Sequence, residues 1–310
     1  MTDRVFHGVQ HGTVMNNRPS PYQITAFTYV ARERSFSGAA SVLSVTQSSI
    51  TQHVANLEKR MGTQLFVRRR DGLEMTRAGS ELFRITDRLA TLDQLVTEKV
   101  NDYSALTDGH IRIIANAPRP AMPIISRYGE LFPKVQIDFT LYNWTTAMGL
   151  IADRHVDIAI VTEPEESDAL FTQELRRTTY MAHMPADHRL AGRKSLSLAD
   201  LQTDTLILPE DGSLTQKVVR AKISEFGFEF PRIIKTTTFP MVKEAILHGL
   251  GLGILLENSL YPSEKLVAIP IKEMSEQYRD CIALSADKRE LRLIQSFLNV
   301  AVDARAAHIF

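Results

Sequence analysis

Residues 35–79 read SFSGAASVLSVTQSSITQHVANLEKRMGTQLFVRRRDGLEMTRAG, and this stretch decides the N-terminal fold. Ser35 is placed to cap a helix over Phe36 to Leu43, with Ala39, Ala40 and Leu43 on its inner face. Ser44-Val45-Thr46 is a short turn. Thr46 then caps a helix from Gln47 to Met61, which Gly62 stops. Ile50, Val54 and Leu57 form the apolar stripe of that helix, and Gln47, Ser48, Thr51, Gln52 and His53 leave its other face polar. Two helices joined by three or four residues, the second opening on small polar side chains, form the helix-turn-helix pattern. A plain helical bundle would also have polar outer faces. Beyond it, Leu65-Phe66-Val67 and Leu73-Glu74-Met75 read as short strands around a tight turn at Arg68-Arg69-Arg70-Asp71-Gly72. Three arginines at a hairpin tip suit a wing that grips a phosphate backbone.

Working outward, Tyr22 to Glu33 places Ile24, Phe27, Val30 and Ala31 on one helical stripe. Residues 1–20 have no periodicity and read as a loose tail, with Met15 as a second candidate start. Downstream, Thr76 caps a long helix reaching about Thr107. Its Leu82, Ile85, Leu89, Leu92 and Val96 are spaced as in a coiled-coil seam, which favours dimerisation over packing on its own domain.

Charge separates these regions. The chain is neutral overall, with 36 basic and 36 acidic side chains. Residues 1–80 hold ten basic against five acidic, a net of +5. A basic domain on a mildly acidic body points to a polyanion partner for that domain alone.

From Gly109 onward strands and helices alternate. The strands read as Ile111–Ala115, Val135–Leu141, Asp157–Val161, Thr179–Met184, Thr205–Leu208, Ile233–Thr238, Gly253–Leu256, Leu266–Ile271 and Arg279–Leu284. The helices read as Ala121–Phe132, Thr145–Asp153, Ser213–Phe226, Met241–His248 and Lys288–Ala304. Such alternation implies an α/β fold with a largely parallel sheet, divided at this length into two smaller ones. Ligands in such sheets sit beyond the C-terminal ends of the strands.

The single cysteine, Cys281, excludes an internal disulfide and a cysteine-rich zinc site. The scattered histidines leave no metal site expected, and no cofactor is expected either. No apolar run approaches a membrane span and the N-terminus lacks an apolar signal core, so a soluble cytoplasmic protein without a membrane partner is expected. Gly249-Leu250-Gly251-Leu252-Gly253 follows a helix and enters a strand, the reverse of a dinucleotide loop. Asp153 and Asp157 flank a strand start and make no acid–base pair.

Taken together, the chain resembles the LysR-type transcriptional regulators over roughly residues 22–305. The resemblance is carried by Phe27, Ser35-Phe36-Ser37, Ala39-Ala40, Leu43, Thr46-Gln47-Ser48, Thr51, Leu57-Glu58, Gly62, Leu65-Phe66, Arg68, Thr76 and Ala78-Gly79. Looser matches follow at Phe132-Pro133, Val156-Asp157-Ile158-Ala159 and Gly249 to Gly253. Ser48 stands where the family often has Pro, and Thr51 where it usually has Ser.

The resemblance implies a winged helix-turn-helix over 21–79, a dimerising linker helix over 80–108 and a C-terminal effector domain similar to periplasmic binding proteins. Its first subdomain would span 110–181 and 284–310, its second 182–283. It further implies a non-enzymatic homodimer or homotetramer that binds and bends promoter DNA, acts on RNA polymerase as activator or repressor, and answers to a small effector. Carried over by position, Gln47, Ser48, Thr51 and Gln52 would face base edges, and Ser35, Arg68 and Arg69 would face phosphates.

For the effector, Asn116 and Arg119 before one helix, Asn143 and Thr145 before the next, and Thr162 after the third strand are the candidates. Ser213 and Thr215 at a later helix start, and Phe239, complete the set. Anions favour helix N-termini, so an anionic or zwitterionic metabolite is expected, with Glu163 or Asp211 meeting any cationic group. Trp144 is the only tryptophan. The competing reading is a cytoplasmic small-molecule-binding α/β protein or enzyme with an incidental N-terminal helical bundle.

Overall fold

The computed structural model describes residues 18–70, 72–100 and 109–306. The expected tail as far as residue 17, the second start at Met15, Asp71 of the expected turn, the linker helix beyond Val100 as far as Thr107, and residues 307–310 lie outside the described residues. The chain divides into two compact units after Asp93.

In the N-terminal unit α1 (Pro21–Glu33), α2 (Phe36–Val42) and α3 (Gln47–Met61) precede a hairpin of β1 (Phe66–Arg69) and β2 (Gly72–Met75). Then α4 (Arg77–Val100) follows. The caps are those read from the sequence: Ser35 accepts from the Gly38 N–H, Thr46 from Ser49, and Thr76 from Gly79. Phe27, Val30, Ala39, Ile50, Val54, Leu57, Leu65 and Phe83 fill one core. Gly79 sits where a Cβ would lie 2.2 Å from the Leu65 carbonyl oxygen, so only glycine lets α4 close on the start of the hairpin. The hairpin differs from expectation. Arg68 and Arg69 belong to β1, and Arg69 stands opposite Gly72, so the turn is tighter than the five residues read for it. Ladder hydrogen bonds extend pairing into the arginines.

Arg32 donates to the fully buried carboxylate of Asp87 at 2.7 Å, tying α1 to α4. On α4, Leu82 packs on the core, whereas Ile85, Leu89, Leu92 and Val96 are between 55% and 69% exposed.

The C-terminal unit holds two five-stranded sheets. The first is built from β3 (Gly109–Ala115), β4 (Val135–Leu141), β5 (Ile158–Thr162), β6 (Leu170–Thr178) and β12 (Tyr278–Ser285), in the order β4-β3-β5-β12-β6. Helices α5 (Pro118–Leu131), α6 (Trp144–Ala152) and α9 (Arg292–Ala306) accompany it. The second contains β7 (Tyr180–Pro185), β8 (Leu206–Pro209), β9 (Ile233–Thr236), β10 (Leu252–Leu256) and β11 (Leu266–Pro270), in the order β11-β7-β10-β8-β9. Helices α7 (Leu214–Glu225) and α8 (Phe239–Leu247) accompany this sheet.

Neither sheet is largely parallel. In each, two of the four strand pairings are parallel and two antiparallel, because one strand is reversed, β12 in the first sheet and β7 in the second. The antiparallel strands arise because the chain leaves one sheet and re-enters it. Only Thr179 separates β6 from β7, and β12 belongs wholly to the first sheet. The return therefore precedes Tyr278 rather than falling at 283–284, and the outward crossing falls at Thr179 rather than after 181. Strand β6 was not expected. It is an edge strand buried only at Leu175 and Thr178, so it lacks a continuous apolar run. Helix α5 starts at Pro118, earlier than Ala121, because proline is tolerated in a first turn. Helix α9 starts at Arg292, after a 3-10 turn at Ala286–Lys288 whose Lys288 is buried against Asp157 at 3.0 Å. Burial opposes ionisation of Asp157, but Lys288, Arg112 and the Arg112 backbone N–H outweigh it and hold the carboxyl well below the usual range.

Two stability outcomes follow from these buried groups. Asp87→Ala leaves the Arg32 guanidinium without its buried partner and should cost about 3–5 kcal/mol in chemical unfolding of the N-terminal unit. His183 on β7 is buried with no partner for Nε2, and burial, partly opposed by hydrogen bonding to the backbone of Leu256 and Leu255, holds its pKa down to about 4. The unfolded chain protonates this ring near 6.5, so between those values it binds more protons than the folded chain. Stability should fall by about 3 kcal/mol as pH drops from 6.5 to 4, and His183→Leu should flatten that part of the wild-type profile.

Candidate nucleic-acid interface and ligand cavity

In the N-terminal unit, Ile50, Val54 and Leu57 turn α3 so that Gln47, Ser48, Thr51 and Gln52 are all exposed on one side. Thr51 donates its hydroxyl to the Gln47 carbonyl at 2.9 Å, and the Ser48 hydroxyl lies 3.1 Å from that of Thr46. These short side chains are thereby held against the helix, leaving the two glutamine amides as the longest polar groups on the face. Beside them, Arg34, Ser35, Phe36, Ser37, Gln47 and the Arg68–Arg70 run line one recess. The α2 N-terminus, the first residue of α3 and the hairpin arginines thus share one surface. Arg69 is paired with Glu74 across the hairpin at 3.1 Å. Arg34, Arg68 and Arg70 have no ion pair among the described residues. Ser35 spends its oxygen on the Gly38 N–H and contacts the Ser37 hydroxyl at 2.9 Å, so it orders the α2 N-terminus.

In the C-terminal unit, strands β3, β4, β5, β8, β9 and β10 all end at one cavity of about 120 Å³. The first sheet contributes Asn116, Pro118, Tyr142, Asn143, Trp144 and Thr162. The second contributes Tyr180, Glu210, Ser213, Thr215, Thr238 and Phe239, among others. Six of the eight residues expected here therefore line it: Asn116, Asn143, Thr162, Ser213, Thr215 and Phe239.

Arg119 and Thr145 do not. Arg119 lies inside the first turn of α5 and donates to the Leu260 carbonyl at 2.7 Å, with its guanidinium over the Tyr261 ring. Burial, then the nearby Arg176, lowers its pKa. Thr145 does not cap α6. Asn143 does, accepting from the Thr146 N–H, because the helix begins one residue earlier at Trp144. Thr145 instead directs both its N–H and its hydroxyl to the Gly212 carbonyl at 3.0 Å. Gly212 has φ +91, and a Cβ there would press on the Asn143 amide at 3.2 Å, so this bridge between the subdomains depends on glycine. Ser213 stands at the cap position of α7 but its hydroxyl makes no capping bond.

Glu163 and Asp211 also fall outside the cavity lining. Glu163 is held by the backbone and guanidinium of Arg279, and Asp211 by Lys235 at 2.8 Å. Glu210 is the acid at the wall, accepting from the Asn143 amide at 3.3 Å. The strand-end rule could have found Glu210 and Tyr142, each next to a strand terminus. Tyr180 begins an antiparallel strand, so that rule has no purchase on it. Trp144 donates its indole N–H to the Thr162 carbonyl at 2.9 Å, and Thr162 in turn donates to the buried Asp280, which pairs with Arg176. The cavity floor is therefore fixed by buried hydrogen bonds. Tyr180 donates to Thr215, and burial raises its phenol pKa.

Comparison with known proteins agrees with both halves. Residues 22–80 match the bacterial regulatory helix-turn-helix protein, lysR family, and residues 104–306 the LysR substrate binding domain. The HTH-type transcriptional regulator CysL of Bacillus subtilis is 24% identical over 76% of this chain and 80% of its own length. The HTH-type transcriptional regulator CbbR of Rhodospirillum rubrum is 27% identical over 77% of this chain and 80% of its own. A full-length OxyR variant of Pseudomonas aeruginosa superposes with a TM-score of 0.76 at 17% identity, covering 92% of this chain and 95% of that one. The regulatory domain of Synechocystis CcmR in complex with 2-PG superposes with a TM-score of 0.57 at 21% identity, over 64% of this chain and 97% of that one. With its helix-turn-helix unit and a cavity where strand ends of two sheets converge, the chain belongs to the LysR family of transcriptional regulators.

Proposed function

We propose that residues 21–79 bind promoter DNA, that residues 80–108 dimerise the chain, and that a small anionic or zwitterionic metabolite in the cavity of the effector domain controls the outcome. The protein works in the cytoplasm, where its DNA is, and recruits or blocks RNA polymerase without a catalytic step of its own. The observation that carries the DNA reading is the union of four arginines, the α2 N-terminus and Gln47 on one recess. A phosphate placed there would meet N–H dipoles and guanidinium groups together. With the backbone so fixed, Gln47, Ser48, Thr51 and Gln52 stand toward the base edges, and Gln is suited to adenine through a bidentate contact. Arg68 and Arg69 grip phosphate, and Ser35 acts through the helix end it caps.

The exposed stripe Ile85, Leu89, Leu92 and Val96 supports pairing of two linker helices, since a row of large apolar residues open to water is stabilised by a partner. Two copies present two recognition helices to paired half-sites. Asn116, Asn143, Thr162, Ser213, Thr215 and Phe239 are the residues we assign to effector contact. Arg119 and Thr145 we assign to holding the two subdomains together.

Gel shifts on the DNA upstream of the protein's own gene test the interface. Gln47→Ala should change the ranking of operator variants and cost about 1–3 kcal/mol at one base pair. Arg68→Ala should weaken operator and random DNA alike and reduce the salt slope by about one. Equal losses on both DNAs for Gln47→Ala would refute its base-reading role.

The cavity has its own optical probe. Any compound that changes operator affinity through this site should quench or shift Trp144 fluorescence, because that indole is part of the wall. A compound that alters operator binding while Trp144 emission stays constant would remove the cavity from the control mechanism.

A further inference from the structure

Resting on the effector reading above, we propose that the cavity takes a small molecule bearing an anionic group and a protonated amine, the anion on the N-terminus of α7 and the ammonium against Glu210. The argument is an accounting of donors. Four helices begin at the cavity, and three have few free N–H groups there. In α5, Pro118 and Pro120 remove two donors of the first turn. In α6, Asn143 accepts from Thr146, and the Thr145 N–H is given to the Gly212 carbonyl. In α8, Thr238 accepts from Met241, and Pro240 has no donor.

Helix α7 differs. Its ladder begins with the Lys217 N–H on the Ser213 carbonyl, so the N–H groups of Leu214, Thr215 and Gln216 have no partner among the described residues. Ser213 lines the cavity, is only 9% exposed, and its hydroxyl makes no capping bond and has no hydrogen-bond partner among the described residues. Thr215, also buried in the wall, accepts from Tyr180 at 3.4 Å and keeps its own proton to give. Three backbone donors and two hydroxyls around a positive dipole end are matched by a carboxylate or phosphate.

A simple anion does not complete the match. Glu210 is the single charged residue of the lining, and no lysine or arginine among the described residues lines the cavity. Lys217 is not among the lining residues; its ammonium lies over the Trp144 ring, 4.5 Å from the centroid. An anion entering alone would meet a carboxylate three residues from its own seat. An ammonium on the same molecule converts that repulsion into a charge-assisted hydrogen bond. Across the cavity Asn116 offers a buried carbonyl oxygen that has no partner and accepts a further N–H.

The test uses the full-length protein, with thermal unfolding and Trp144 emission as readouts and three probes: O-phosphoethanolamine, ethyl phosphate and ethanolamine. Phosphoethanolamine should bind roughly tenfold more tightly than ethyl phosphate, and ethanolamine should not bind measurably. Glu210→Gln keeps the acceptor for Asn143 but removes the charge, and should abolish that preference or reverse it. Ser213→Ala should weaken both phosphates severalfold while leaving the unliganded melting temperature near that of the wild type. Equal affinity for the two phosphates, a preference unchanged in Glu210→Gln, or no response to any probe overturns the proposal. If all three probes fail while some neutral or purely anionic compound quenches Trp144 and alters operator affinity, the effector reading stands and only this ligand class falls. If no compound that enters the cavity affects operator affinity, the effector reading falls as well.

Discussion

Everything at the ligand cavity depends on how the chain passes between the two sheets. One residue, Thr179, joins β6 to β7, and the return enters β12 before Tyr278. A link that short leaves little freedom for the two sheets to drift apart. It fixes the C-terminal ends of six strands around one space. The bonds from Thr145 to Gly212, from Asn143 to Glu210 and from Arg119 to Leu260 then span the same gap. Each is modest singly, but all three draw the subdomains together. A ligand that reaches the free end of α7 must work within, or displace, this set. In the effector reading proposed above, that is the physical route by which occupancy would act on the two subdomains.

The N-terminal unit solves a different problem, that of holding charge on the surface without neutralising it. Asp87 is buried and committed to Arg32, which fastens α1 to α4. Among the described residues the arginines near the recess have no ion pair, Arg69 excepted. Unpaired cations in water are well solvated and cost little, and they are available to a polyanion whose own counterions are released on contact. The caps at Ser35 and Thr46 serve the same end by fixing where two helix N-termini begin.

Much of this was legible in the residues. The span of α3 from Gln47 to Met61 and that of β4 from Val135 to Leu141 agree with their readings, because each combines a clean apolar period with a clear terminator. Strand β6 was not legible, since only Leu175 and Thr178 of it are buried and its pairing with β12 is made far along the chain. The sheets were read as largely parallel because local alternation of strand and helix says nothing about a chain that leaves and returns. From the sequence Arg119 reads as an effector contact at a helix start. Its partner, the carbonyl of Leu260, lies 141 residues away, where no spacing rule reaches.

The sequence by itself determined the helix-turn-helix unit with its arginine hairpin, the exposed seam on the linker helix and the α/β character of the rest, because all of these arise from short-range periodicity, capping and charge. The tertiary structure alone decided which acid meets the cavity, that the Thr145 N–H at the start of α6 is spent on Gly212, and which polar residues act as struts between subdomains. Those outcomes depend on which groups find partners elsewhere. A hydrogen-bond donor is spent or free according to contacts tens to more than a hundred residues away, and local sequence carries no record of them.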